Sequence, residues 1–343
     1  MTPILRVDHM TKYYGSFCAA YDICFEVEAG QVVGFLGPNG AGKTTSMRVI
    51  TGFFPPSRGQ VFVDGLSIID RPLEARAKIG YLPEANPLYL ELTVREYLLF
   101  RAKIKGVAPK QREAAIVEAM ESTDCRPRAD QVIGTLSKGF RQRVGLADAI
   151  VAKPRLMILD EPTSGLDPVQ QIEVRRLIRR LAENATVVLS THILQEVEKV
   201  CDRVLIIHRG RLIPEEEVTR RKRAREVRLC ARGGREGLEA ALVRELPAGT
   251  ELEYLGAKNG AREHVWRVVP LEGVDLRETI AACVERRRAA DAGVTLLELT
   301  PHTLGLDYVF AQLVGQPQPE MDEDDRPLSS GGGKTHPREA AAS

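Results

Sequence analysis

Hydrophobic and polar positions along the chain change rhythm in blocks. Residues 4–9 (ILRVDH), 23–27 (ICFEV) and 60–64 (QVFVD) alternate or run apolar between turn residues, which predicts strands. Residues 31–36 (QVVGFL) predict a buried strand feeding straight into a glycine-rich turn, with a helix from Lys43 to about Gly52 behind it. From Thr93 to about Ala152 the period becomes helical: TVREYLLFRAKIK, PKQREAAIVEAME and GFRQRVGLADAIV, with glycine and proline between them. Strand and helix then alternate: strand 155–160 (RLMILD), helix 169–183, strand 186–191 (TVVLST), helix 192–202 and strand 203–210 (RVLIIHRG). Alternation of this kind implies βαβ units and a mostly parallel sheet.

Near residue 215 the character changes. EEEVTRRKRAREVR is a dense charge run whose acids and bases nearly cancel, so a solvated linker over 215–225 is expected rather than a patch for anionic lipid. Beyond it the pattern predicts strand 226–231, helix 235–246, strands 250–256 and 263–269, helix 273–288 and strand 294–299. That order, βαββαβ, is the split ferredoxin-like arrangement of a small α+β domain over 226–314. An amphipathic helix over 304–314 closes it, and residues 315–343, rich in Pro, Gly, Ser and acids, are expected to be disordered. The first domain then spans 1–214, with a helical subdomain at about 85–153.

Composition narrows the class. A length of 343 residues suits about two domains, and 43% hydrophobic with 28% charged residues suits a globular protein with a substantial core. A net charge of +1 gives no electrostatic reason to expect nucleic acid as partner. Six scattered cysteines without a CxxC pair argue against a zinc ribbon or a disulfide framework and for reduced thiols in the cytosol. The N-terminus lacks the apolar core of a signal peptide, and no stretch approaches the ~18 apolar residues of a spanning helix. Service to a membrane would run through a partner.

GPNGAGKT, Gly37-Pro38-Asn39-Gly40-Ala41-Gly42-Lys43-Thr44, satisfies the phosphate-loop pattern and is followed by Thr45. Its glycines let successive N–H groups turn inward around phosphate oxygens, and the next helix presents its positive end to them. Lys43, expected on an exposed loop, can reach the β- and γ-phosphates of ATP, and the Thr44 hydroxyl can ligate Mg²⁺. LMILDEP, residues 156–162, ends an apolar strand in Asp160, a second group for Mg²⁺, and Glu161, which can polarise an attacking water. Alone, an acidic pair after an apolar strand is an ordinary cap. Paired with an upstream phosphate loop it reads as the second half of a nucleotide site.

Those two motifs establish a phosphate-loop NTPase. LSKGFRQR, Leu136 to Arg143, narrows it, because it resembles the LSGGQ signature of the ABC ATPase family and lies shortly before the 156–160 strand. The resemblance covers residues 1 to about 213 and implies an α/β core with an antiparallel β subdomain and a helical subdomain. It makes Tyr14 the residue that stacks on adenine, and Ser164 to Asp167 (SGLD) a dimer-contact loop. His192 becomes the switch histidine that senses the γ-phosphate and joins Lys43 and Glu161 as a catalytic group. It also implies that Ser137, Lys138 and Gly139 of one subunit meet the γ-phosphate held by another, with Asp167 contributing across the same boundary. A chain with one phosphate loop and one signature loop completes its sites as a head-to-tail homodimer enclosing two ATP molecules.

Glu84 stands where the family usually has a glutamine that approaches the metal, and the signature reads SKGF rather than SGGQ. Both variants, and the terminal LDYVFAQL, resemble the subgroup serving ABC-2-type exporters, including gliding-motility-type ATPases. The expected function is therefore an ATPase subunit that drives a separate transmembrane permease from the cytoplasmic face, through contacts near Glu84 to Leu99. The rival class is a soluble ABC ATPase acting on a ribosome or DNA. Those relatives usually carry tandem cassettes or a long coiled-coil insertion, and neither pattern is in this chain. A nucleotide switch without hydrolysis ranks last, because Glu161 is present.

Overall fold

The computed structural model describes residues 3–223, 225–259, 262–270, 275–290, 294–303 and 306–315. The expected disordered tail lies outside them, apart from Gly315. Strands β1 (Leu5–Tyr14) and β2 (Phe17–Val27) form a long hairpin before β3 (Val32–Leu36) and helix α1 (Lys43–Ile50). The chain continues through β4 (Arg58–Val63), β5 (Leu66–Ser67), α2 (Pro72–Ala77) and β6 (Ile79–Leu82). Helices α3 (Val94–Ile104), α4 (Arg112–Ser122) and α5 (Lys138–Ile150) form the helical segment. Then come β7 (Leu156–Asp160), α6 (Pro168–Ala182), β8 (Thr186–Thr191), α7 (Leu194–Val200), β9 (Arg203–His208) and β10 (Arg211–Leu212).

The central sheet runs β10-β9-β3-β8-β7-β6 and is parallel except for the short β10. β3, β7 and β8 are buried at every position, because helices cover both faces. A second sheet, β2-β1-β4-β5, is antiparallel. Its inner face joins Val33, Phe35, Met47 and Ile50 in one core. The helical segment has a core of its own around Tyr97, Leu98, Ile116, Met120 and Val144. Thr93 begins α3 with a complete capping box, its hydroxyl accepting from the Glu96 amide while the Glu96 carboxylate accepts from the Thr93 amide. Four pairing elements were not expected from the pattern: the first half of β2, β6, and the short β5 and β10. β6 has four residues, IGYL, and β5 has two, too few for a period to show.

The charge run folds differently from the expected linker, because Glu215–Arg223 is helix α8. Glu215, Glu216 and Glu217 occupy its first turn, where the positive end of the helix favours carboxylates. Glu215 also forms a two-pronged ion pair with Arg203 on β9, and Val218 is buried. After it come β11 (Arg225–Arg232), α9 (Arg235–Glu245), β12 (Glu251–Lys258), β13 (Glu263–Val269), α10 (Arg277–Ala290) and β14 (Thr295–Thr303). These strands make an antiparallel sheet ordered β12-β13-β11-β14, packed on α9 and α10 around Trp266, Leu242 and Ile280. The final helix α11 (Leu306–Gly315) leaves that core. Its Leu306, Val309 and Leu313 join Leu36, Val197, Ile206 and Val218 in a cluster that ties the C-terminal region to the central sheet and its helices. Among the described residues no helix is long and apolar enough to cross a membrane.

Candidate functional site

The site forms where β3, β7 and β8 end side by side, the place where parallel sheets open a crevice. Gly37 leaves β3 with its N–H donated to the Thr191 carbonyl, and the loop wraps back through Ala41 N–H to Pro38 O. Gly42 adopts φ 102° at the cap of α1, and a Cβ there would collide with the Ala19 carbonyl, so the turn admits only glycine. Pro38, Asn39 and Gly40 form the outward lip, and Thr45 follows on α1, half-buried.

Lys43 is not on an exposed loop. It is the first residue of α1 and is 5% exposed. Its Nζ donates to Gly37 O at 2.8 Å and Pro38 O at 3.2 Å and pairs with Glu161 Oε1 at 3.2 Å. A buried ammonium needs such partners, so it folds back over the loop. Glu161 is 6% exposed, and its other oxygen lies 2.9 Å from His192 Nδ1. Its backbone sits at φ 48°, a region a side chain rarely adopts, and is held there by its N–H donating to Ser190 O and Ser190 Oγ, both at 3.1 Å.

Asp160 is fully buried at the end of β7. Its Oδ1 accepts from Ser190 Oγ at 2.5 Å and Thr44 Oγ1 at 3.2 Å, while Oδ2 has no hydrogen-bond partner. Burial pushes its carboxyl above the ordinary range. The hydroxyls of Ser190 and Thr44 oppose that, and the charges of Glu84 and Glu161 add to it. Glu84, exposed just beyond β6, thus lies within electrostatic reach of Asp160. Tyr14 ends β1 with its ring 41% exposed, braced edge-on by Phe54 at 5.9 Å and with Lys12 Nζ 5.4 Å from its centre.

The signature residues gather elsewhere. Ser137 caps α5 by accepting from the Phe140 N–H at 3.3 Å, and a Cβ on Gly139 would press on Gln170 of α6. Asp167 caps α6, accepting from the Gln170 N–H at 2.9 Å, and Lys138 Nζ reaches over Gly165. Ser137, Gly139, Phe140, Arg143 and Gln170 line a shallow cavity of their own, distinct from the cradle around Lys43. The cradle around Lys43 and the cavity around Ser137 therefore occupy separate places on the chain.

Sequence reasoning missed the residues that hold the site together. Ser190 fastens both Asp160 and Glu161. Glu196, 2% exposed, accepts from Thr163 and from Thr191 Oγ1, and Gln142 Nε2 donates to Pro162 O at 2.7 Å. The available signal was the polar Ser190-Thr191 pair ending an otherwise apolar strand.

Residues 21–164 match the family model described as ABC transporter. The chain is 41% identical over 217 residues to the bacitracin transport ATP-binding protein BcrA of Bacillus licheniformis, covering 63% of this chain and 70% of that protein. It is 31% identical over 312 residues to the uncharacterized ABC transporter ATP-binding protein YxlF of Bacillus subtilis (strain 168), covering 91% of this chain and 99% of that one. A solved ATP-binding subunit of an ABC transporter superposes with a TM-score of 0.55 at 33% identity, over 61% of this chain and 88% of that chain. The chain belongs to the ABC transporter ATP-binding proteins, ATPases that couple hydrolysis to transport.

Proposed function

We propose that this chain is the energising subunit of an ABC-2-type exporter, working as a head-to-tail homodimer on a separate membrane permease. The observation that carries the hydrolytic part is the contact of Lys43, Glu161 and His192 at 3.2 and 2.9 Å, beside a buried carboxylate with an unpartnered oxygen. An incoming γ-phosphate replaces Glu161 as the partner of Lys43, which frees Glu161 to accept a proton from the attacking water as the bond to the leaving ADP breaks. His192 orients Glu161 and senses the phosphate. The unpaired Asp160 Oδ2 beside the Thr44 hydroxyl fits a hard cation, so these two groups, with Glu84 nearby, would hold Mg²⁺, which neutralises phosphate charge.

Tyr14 offers an exposed ring to adenine. The loop from Gly37 through Thr45 cradles the phosphates, and Ser137, Lys138, Gly139 and Asp167 of a second copy close over them. The separate placement of the two half-sites supports the dimer. The subgroup rests on Glu84, on SKGF and on the region after residue 214, where the βαββαβ element order and the sheet order β12-β13-β11-β14 support reading a ferredoxin-like accessory domain. The permease would dock near Glu84 to Leu99, where Tyr89 and Leu90 are about half exposed. The protein would then sit at the cytoplasmic face of the membrane through that partner, without nucleic acid.

A tagged chain purified from detergent-solubilised membranes tests this reading. The expected result is recovery of a polytopic membrane protein that raises its ATPase rate. Recovery of ribosomes or a DNA complex instead would favour the soluble class.

A further inference from the structure

Away from the nucleotide crevice, β1 carries an irregularity that gathers metal-ligating side chains. Against β2, Val7 pairs with Phe25 and Met10 with Ile23, so Asp8 and His9 together face the single residue Cys24. Against β4, Asp8 pairs with Gln60 and Thr11 with Arg58, so the ladder slips on this edge as well. Two residues opposite one is a bulge, and a bulge re-aims side chains that would otherwise alternate between faces. His9 takes φ 47°, Asp22 on the facing strand takes φ 51°, and Gly59 on β4 takes φ 78°. Any side chain on Gly59 would collide with the His9 and Asp8 carbonyls, so β4 is shaped to admit the bulge.

The outcome is that Asp8, His9 and Cys24 all stay out of the core while Val7, Met10, Ile23 and Phe25 remain buried. One ligand atom from each of Asp8, His9 and Cys24 lies within 4.8 Å of the others. Behind His9, its Nδ1 lies 2.7 Å from Asp22 Oδ1. With the Nδ1 proton donated to Asp22, the lone pair sits on Nε2, on the side of Asp8, whose Oδ1 is 3.9 Å away. A carboxylate behind a histidine is how proteins fix the tautomer and ring plane of a metal-bound imidazole.

We propose that Asp8, His9 and Cys24 form a binding site for a divalent transition metal of the zinc class, with Asp22 as the positioning residue for His9. One carboxylate oxygen, one imidazole nitrogen and one thiolate make a mixed donor set that suits Zn²⁺, with a fourth position open to water. Binding deprotonates the Cys24 thiol: the sulfur–hydrogen bond is exchanged for a sulfur–metal bond and the proton goes to solvent, with no change of oxidation state. The bound ion bridges β1 to β2 at the bulge. This site lies on β1 and β2 of the antiparallel sheet, on different elements from the Asp160–Thr44 pair.

The test uses the full chain, freed of any histidine tag and without nucleotide, titrated with Co²⁺ as an optical substitute and then with Zn²⁺. A thiolate-to-cobalt charge-transfer band is expected in the parent, displaced by Zn²⁺, absent in Cys24→Ser and retained in Cys18→Ser. His9→Ala should weaken Zn²⁺ binding by more than tenfold, and Asp22→Asn by about tenfold. No band in the parent, a band that survives Cys24→Ser, or unchanged Zn²⁺ affinity in His9→Ala would overturn the assignment. Should the variants fold poorly, labelling of the parent decides. Zn²⁺ is expected to shield Cys24 from a maleimide, and equal labelling with and without Zn²⁺ would overturn it.

Discussion

The nucleotide-binding core and the C-terminal sheet solve the same packing problem with opposite treatment of polar groups. In the core, Lys43, Asp160, Glu161, Ser190, Thr191 and Glu196 are all under 9% exposed and converge on one end of one sheet. In the described residues after 214, no charged or hydroxyl-bearing side chain is buried to that degree. Its charges pair near the surface instead, as Arg232 does with Glu263 and Arg267 with Glu226. Burying polar groups costs stability unless each is hydrogen-bonded, so a fold retains a cluster of them where chemistry requires it. The core bears that cost at the strand ends of β7 and β8, whereas the C-terminal sheet buries a single indole N–H, that of Trp266, which has no hydrogen-bond partner. The cluster of buried charged and hydroxyl groups thus lies in one region, and the described residues of the other carry none.

The largest effect expected on this contrast comes from Lys43→Ala. It removes the cation of the phosphate loop, so hydrolysis should fall by roughly a thousandfold while nothing in the C-terminal sheet changes. Steady-state ATPase assays with circular dichroism would show it, and hydrolysis at the parental rate would remove Lys43 from the site. Trp266→Ala probes the other region. Trp266 is 1% exposed, and its loss should destabilise the sheet around it by about 3–5 kcal/mol. Limited proteolysis should then cut within β11–β14 first, while basal ATP hydrolysis persists. Hydrolysis lost in step with that sheet would mean that the two regions are not separable. The smallest effect is expected from Glu84→Gln, which exchanges a charge for an amide at the edge of the crevice. Basal hydrolysis should stay within about tenfold, a barrier change of no more than ~1.4 kcal/mol, and stimulation by the permease should change more. Complete loss of basal activity would give the Glu84 carboxylate a direct chemical part.

Much of the core was legible because its chemistry is written in contiguous residues. Gly37 to Thr44 and Leu156 to Pro162 each carry a strand end and its loop together. The βαβ rhythm follows from helices covering both sheet faces, which buries β3, β7 and β8 at every position and fills their centres with apolar residues. β6 was missed because four residues, half of them partly exposed, show no period. Ser190 and Glu196 were missed because their role depends on contacts 30 and 33 residues away, with Asp160 and Thr163. The helix at Glu215–Arg223 read as a linker because its charge hid an ordering device, the Arg203–Glu215 pair and the burial of Val218 against α11. In the C-terminal region, pattern alone gave the strand and helix order, since alternating burial there follows the residue period directly.

The central claim, that two half-sites on one chain become whole only in an ATP-bound pair, is tested most directly by Glu161→Gln. The variant keeps the shape of the side chain and loses the proton acceptor, so ATP should bind with Mg²⁺ and remain unhydrolysed. Sedimentation velocity should then show a monomer without nucleotide and a dimer with ATP and Mg²⁺, and the dimer should disappear when Ser137→Ala and Gly139→Asp are added. A Glu161→Gln chain that binds ATP and still sediments as a monomer would contradict the paired site.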